Sequence, residues 1–256
     1  MDNLAGKVAL ITGAGAGIGR AVALRLALAG CAVGLFDLDR ASVTATQQSI
    51  AALGGRAAVA VGDVSSRDQV NAAHRSIAEA LGAVDILVNN AGILSTGSFL
   101  AVSEEQWRRT FAINLDGAFF CCQAVLGSMV ERRSGCIINM SSWTGKQGVA
   151  NHAAYGATKA GLINLTQSLA TEFGPHGVRV HAVCPGIIVE TDMRTAAEEL
   201  NHAQGLPDVE ARVQAVPLRR GGLPQEIADV VAFLASDAAA YMTGQAINVT
   251  GGLWMG

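Results

Sequence analysis

Tyr155 and Lys159 stand four residues apart in Ala154-Tyr155-Gly156-Ala157-Thr158-Lys159, ahead of the apolar residues Leu162, Ile163, Leu165 and Leu169. On a helix that spacing puts the phenol and the ammonium on one face, where they can share a site. A nearby cation favours the phenolate, so it lowers a tyrosine pKa from about 10 toward the range in which the group exchanges protons near neutrality. Such a pair alone is common and is usually a surface contact. Two hydroxyls just upstream, Ser141 and Ser142, and the elements that must carry all four side chains decide its meaning.

Residues 7–12 form a short apolar run suited to a strand buried on both faces, as in a parallel sheet. Gly13, Gly17 and Gly19 follow, then a helical pattern carried by Val22, Leu24, Leu26 and Leu28. Strand, glycine turn and helix form the context a phosphate-binding loop requires, because glycines let the backbone approach a pyrophosphate and the first free helix N–H groups point at it. The spacing is G-x-x-x-G-x-G, and a purely structural connection is the competing reading. A second strand, 32–36, ends in Asp37, eighteen residues after Gly19. A carboxylate there can accept from both adenosine ribose hydroxyls and repels a 2′-phosphate, which favours NAD over NADP. An ordinary turn aspartate is the alternative, and nearby Arg40 softens the preference. Arg20 is either a phosphate partner or a solvated helix residue.

Residues 41–53 read as a helix stopped by Gly54 and Gly55, and 57–61 as a third strand leading to Asp63 and Val64. At a carboxyl strand end Asp63 could meet the adenine, cap the helix that starts near Ser66, or do both. A fourth strand, 84–88, runs into Asn89, Asn90, Ala91 and Gly92, either a turn or a flat platform for a ring. Helical segments 104–112 and 115–132 flank Asn114, whose side chain competes for backbone hydrogen bonds; its position implies a cap, a kink or a polar task. Strand 136–140 delivers Ser141, Ser142 and Trp143, and strand 178–183 is closed by Cys184, Pro185 and Gly186. Segment 187–220 is a candidate lid, followed by a helix at 225–236 and a last strand at 245–249. This alternation predicts one α/β domain over 1–256, a doubly wound parallel sheet with helices on both faces.

Half of the 256 residues are hydrophobic and 15% are charged, and eighteen basic against twenty-one acidic side chains leave a net charge of -3. That balance fits a well-buried globular domain and argues against nucleic acid or an anionic membrane as a partner. The N-terminus lacks the basic-then-apolar layout of a secretory signal, and the uncharged stretch 238–256 is broken by Gly, Thr, Gln and Asn, so a soluble cytoplasmic protein is expected. Cys31, Cys121, Cys122, Cys136 and Cys184 show no metal-ligand spacing, which predicts reduced buried thiols and no metal site.

Thr12 with Gly13, Gly17, Ile18 and Gly19, the Asn89-Asn90-Ala91-Gly92 turn, Asn114, Ser142 thirteen residues before Tyr155, Lys159, Pro185-Gly186 and Gly251-Gly252 come in a telling order and spacing. Together they resemble the short-chain dehydrogenase/reductase family, in particular its shorter single-domain members. The resemblance implies a Rossmann-like sheet of seven strands, with Tyr155 as general acid/base and Ser142, not Ser141, stabilising the reacting oxygen. It implies that Lys159 holds the nicotinamide ribose and lowers the Tyr155 pKa, and that Asn114 positions a relay water. Cofactor contacts are then expected from Gly13, Gly17, Ile18, Gly19, Asp37, Asp63, Val64, Asn90, Ala91, Gly92, Pro185, Gly186, Ile188 and Thr191, besides Tyr155 and Lys159. A dimer or tetramer is implied too, with the helices starting near Leu115 and Ala153 in one interface. Thr250 stands where many relatives carry Asp, near a subunit contact.

Leu94, Ser95, Trp143, Thr144, Gln147, Asn151, His152, Glu190 and Met193 are expected to line the substrate pocket. An apolar wall with several hydrogen-bonding groups suits a polyol, a sugar or a similar hydroxylated molecule. Residues 219–252 also resemble the 3-oxoacyl carrier-protein reductases, with Arg132 and Arg133 available to an acidic carrier; those enzymes usually use NADP, against which Asp37 weighs. The expectation is therefore an NAD-dependent secondary-alcohol dehydrogenase, with the acyl reductase as the alternative. Isomerases and lyases of this fold carry a larger C-terminal substrate region, and a non-catalytic nucleotide-binding protein would be expected to lack Tyr155 or Lys159.

Overall fold

The computed structural model describes residues 4–191, 193–195, 198 and 208–256. Seven parallel strands, β1 (Val8–Thr12), β2 (Ala32–Asp37), β3 (Ala57–Val61), β4 (Ile86–Asn89), β5 (Gly135–Met140), β6 (Val178–Pro185) and β7 (Ala246–Val249), pair in the order β3-β2-β1-β4-β5-β6-β7. The order reverses between β1 and β4, which opens a crevice at their carboxyl ends.

All five residues of β1 are buried because both faces of the sheet are covered. Side chains alternate between the faces. Ala9 and Ile11 join a core that includes Val22 and Leu26 of α1 (Gly17–Leu28), Ile50 of α2 (Arg40–Ala52) and Val231 of α7 (Pro224–Ala235). Val8 and Leu10 join a second core with Ile77 of α3 (Arg67–Leu81), Met129 of α5 (Gly117–Arg132) and Ala170 of α6 (Ala153–Phe173). Each fully buried Leu or Ile contributes about 1.5–3 kcal/mol through its burial. All five cysteines are buried free thiols, and burial pushes Cys136 up to about 11.

Three local expectations change. The helices expected on either side of Asn114 form one rod, α4 (Glu104–Phe111) joined to α5 through a π turn, Ala112–Asp116. By length and composition Glu104–Arg132 could cross a membrane, yet Cys121, Cys122, Val125 and Met129 on it are core residues packed on the sheet. Ser66 rather than Asp63 caps α3, accepting from Gln69 N; the Asp63 carboxylate instead accepts from Ser65 N at 2.8 Å. β6 runs on through Cys184 to Pro185, which lies opposite Val249 at the end of the ladder.

A polar ladder crosses the apolar middle of the sheet. Asn89 and Asn139 are register partners on β4 and β5, and Asn89 Nδ2 donates to Asn139 Oδ1 at 2.8 Å. Asn139 Nδ2 donates in turn to Thr166 Oγ1 of α6 at 2.9 Å. This ties two strands to the helix that carries Tyr155.

Candidate active site

The glycine loop is shaped by positions where a side chain has no room. Gly13 has a left-handed φ of 64°. A Cβ at Gly19 would lie 1.9 Å from the Gly13 carbonyl oxygen, and one at Gly15 would lie 2.1 Å from Ser42 Oγ. Thr12 Oγ1 accepts from Asn90 N and Ala91 N, both at 3.0 Å. Asn90 Nδ2 donates to the carbonyls of Thr12 and Gly13, both at 3.1 Å. The Asn90 side chain is thus committed to bolting the loop to β4, and Ala91 and Gly92 are left as the platform at the strand end.

The Asp37 carboxylate accepts from Gly15 N at 2.8 Å and Asp39 N at 3.0 Å. It therefore closes the far side of the loop, where a ribose diol would meet it. No side chain caps the start of α1, which leaves its first N–H groups for an anion. A Cβ at Gly17 would sit 3.3 Å from Thr191 Cγ2, so Thr191 hangs over the loop, and Ile188 is buried behind it. Ile18 is partly buried beside α1's core face, and Gly186 N donates to Val249 O at 3.0 Å. These residues fit a dinucleotide cradle. Arg20 is turned away from it, donating to Ser49 Oγ. Val64 packs toward Gly117 in the second core.

Ser142 follows β5 in an extended conformation. Its Oγ accepts from Thr144 N at 3.2 Å and Thr144 Oγ1 at 3.0 Å, and the hydroxyl lies near enough to the Tyr155 phenol to favour its phenolate. Its neighbour Ser141 faces the other way, donating to Lys159 O at 2.8 Å. Tyr155 enters in the first turn of α6, and one turn on Lys159 Nζ donates to Met140 O at 2.7 Å, 5.4 Å from the centre of the phenol ring. Burial lowers the lysine to about 8.

The net shift runs against the expectation: burial raises the Tyr155 pKa, against the nearby Ser142 hydroxyl and the charge of Arg194, which lower it. The Lys159 ammonium is spent on the Met140 carbonyl and is itself weakened by desolvation. Arg194 escaped the sequence reading because it falls in a segment of mixed polarity with no periodic signal.

Asn114 is 1% exposed. Its Oδ1 accepts from Ile93 N at 2.8 Å, while Nδ2 donates to Ile93 O at 2.9 Å and Thr158 Oγ1 at 3.2 Å. The polar task the sequence implied is a splint between the loop after β4 and α6, with Thr158 as its unanticipated partner. Among the pocket residues, Trp143 is half-buried, Thr144 supports Ser142, and the His152 ring stands edge-on to Tyr155 at 6.5 Å. Leu94 is half-buried, whereas Ser95 turns inward to accept from Gln106 Nε2. Gln147, Asn151, Glu190 and Met193 are exposed. Of the expected lid, 192, 196–197 and 199–207 lie outside the described residues.

A reversed strand order above a glycine loop, with a Ser142-Tyr155 pair backed by a buried lysine, defines an oxidoreductase that works with a nicotinamide cofactor. The chain belongs to the short-chain dehydrogenase/reductase family. A family model described as enoyl-(acyl carrier protein) reductase matches residues 13–254. The chain is 40% identical to 2-(S)-hydroxypropyl-CoM dehydrogenase 3 of Xanthobacter autotrophicus over 256 residues, 98% of each chain. It is also 40% identical to a 3-oxoacyl-(acyl-carrier-protein) reductase FabG of Staphylococcus aureus over 250 residues, covering 97% of this chain and 98% of that one. Among solved structures it superposes on levodione reductase with a TM-score of 0.92 and 34% identity, covering 97% of both chains.

Proposed function

We propose that the protein is an NAD-dependent dehydrogenase of a small hydroxylated secondary alcohol, such as a polyol, a sugar or a related molecule, working in the cytoplasm as a homo-oligomer. The observation that carries this reading is the pairing of Ser142 with Tyr155 at the crevice mouth, with Lys159 buried beside them and Asp37 at the far side of the glycine loop.

The cofactor, when bound, supplies hydride acceptance at its nicotinamide ring. The chain supplies the rest. Ser142 Oγ holds the carbinol oxygen and stabilises its developing charge. The Tyr155 phenolate takes the hydroxyl proton, and Ser142 and Arg194 favour that phenolate against the cost of burial. Lys159 holds the ribose, and Asn114 fixes the loop and helix between which a relay water is positioned. Asp37 at the loop's edge favours NAD over the 2′-phosphorylated cofactor.

A 3-oxoacyl reductase activity is the second reading, favoured by the carrier-protein reductases among the relatives. Against it, Arg132 donates to Val84 O and Arg133 to Pro175 O, so neither guanidinium is held out for an acidic carrier. A panel of polyols, secondary alcohols and 3-oxoacyl thioesters, followed at the nicotinamide absorbance band with each cofactor, separates the two. Tyr155→Phe should abolish turnover while NADH still binds; near-normal activity in that variant would sink the mechanism.

A further inference from the structure

The described part of the lid brings a second charged group to the site. Arg194, Glu198 and Arg212 form a chain in which both guanidiniums reach the same carboxylate oxygen, Glu198 Oε1. Their side chains are only 21–30% exposed, and the trio carries one excess positive charge. Glu198 Oε2 is buried with no hydrogen-bond partner among the described residues. One carboxylate oxygen thus serves two guanidiniums.

Arg194 is also loosely engaged. A guanidinium offers five donors in a fixed fork, yet its side-chain hydrogen bonds among the described residues, Nε to Ile188 O at 3.3 Å and Nη1 to Glu198 at 3.5 Å, are both long. Its backbone N is held by Thr191 Oγ1 at 3.1 Å, and Thr191 hangs over the glycine loop. That places the fork beside the reaction centre, and its charge reaches the Tyr155 phenol.

We propose that Arg194 and Arg212 hold an anionic group of the substrate, a carboxylate or a sulfonate a few bonds from the carbinol, and that Glu198 occupies them until it arrives. This rests on the dehydrogenase reading above and narrows its substrate to short hydroxylated acids. A planar or tetrahedral oxyanion can engage the fork through two parallel N–H bonds, which Glu198 Oε1 alone does not. The same anion neutralises the excess charge of the trio. A neutral polyol leaves the arginines with only Glu198.

The test compares matched pairs with NAD as oxidant: 3-hydroxybutyrate against its amide, gluconate against sorbitol, and 2-hydroxypropanesulfonate against 2-propanol. Carboxylate and sulfonate arms distinguish the two anions. The charged member should have the higher kcat/KM by about 10- to 100-fold, the range of a hydrogen-bonded charge. Arg194→Met and Arg212→Met should collapse that ratio toward one, Arg194→Lys should keep part of it, and Glu198→Gln should lower KM for the charged member. Arg75→Met, on the exposed face of α3, should leave the ratio as in the wild type. A wild-type ratio near one overturns the anion site, while turnover of the neutral alcohols that Tyr155→Phe stops leaves the dehydrogenase reading standing. If Arg194→Met weakens NADH binding and leaves the ratio intact, Arg194 belongs to the cofactor and the proposal falls. If no pair is turned over, melting temperature with saturating NADH decides: butyrate should stabilise the wild type, butyramide should not, and Arg194→Met should respond to neither. An equal response to both overturns the proposal.

Discussion

Replacing Lys159 with Met separates what this residue does for stability from what it does for activity. Burial lowers the ammonium from 10.5 to about 8, so below pH 8 the folded protein carries roughly 3 kcal/mol of unfavourable charge burial. Methionine removes that cost but strands the Met140 carbonyl, which in the wild type accepts from Nζ at 2.7 Å, at about 1–3 kcal/mol. Lys159→Met, of similar length, should therefore change stability at pH 7 by less than about 2 kcal/mol. It should reduce turnover by about 10²- to 10⁴-fold. The pH dependence gives a sharper check. Between pH 8 and 10.5 the unfolded chain binds the lysine proton and the folded chain does not, so wild-type stability rises there by roughly 3 kcal/mol relative to the variant. Urea unfolding of both proteins at pH 7, 8.5 and 10 measures the difference. Parallel curves for the two proteins, or a loss above about 3 kcal/mol at pH 7 in the variant, would refute the reasoning.

Three further outcomes follow from contacts already described. Asp37→Ala removes the carboxylate proposed to face the ribose and the partner of Gly15 N, and the ratio of kcat/KM for NAD over NADP should fall by about tenfold or more; an unchanged ratio would show the ribose contact to be misplaced. His181 is buried, and burial first, then the neighbouring Arg179, lowers it to about 4 from 6.5. As pH falls from 6.5 to 4 the unfolded chain takes up a proton that the folded one refuses, so stability should drop by roughly 3 kcal/mol, and denaturation midpoints for His181→Gln should follow a flatter acid limb. Asn114→Ala strands Ile93 N and O, and should cost about 3 kcal/mol in urea unfolding at an unchanged m-value; a loss under 1 kcal/mol would mean the splint is dispensable.

The sheet was legible because its strands are buried on both faces and punctuated by glycine, so the run 7–12 and the turn at Gly13 declare themselves by composition alone. Ser142, Tyr155 and Lys159 were legible through spacing, and the structure brings them together. The partners that finish each role were not. Asn114 read as a break because propensity sees an interruption, whereas tertiary bonds to Ile93 and Thr158 hold one continuous rod through a π turn. Asp63 lost the cap to Ser66, a choice between two good capping residues three positions apart. Arg194, a second cation acting on Tyr155, arrives from a segment 39 residues away in sequence. Distance along the chain hid it, and burial of the tyrosine reversed the simple electrostatic argument.

The ladder of Asn89, Asn139 and Thr166 also bears on how the chain finds its fold. Parallel strands pair late, across long separations, and apolar strands such as β4 and β5 offer little to tell one alignment from the next. A slip of one residue between them would turn these amides away from each other and break the buried hydrogen bond they share, costing about 1–3 kcal/mol. The two asparagines thus act as a check on alignment, rejecting mispaired sheets that the hydrophobic residues alone would accept.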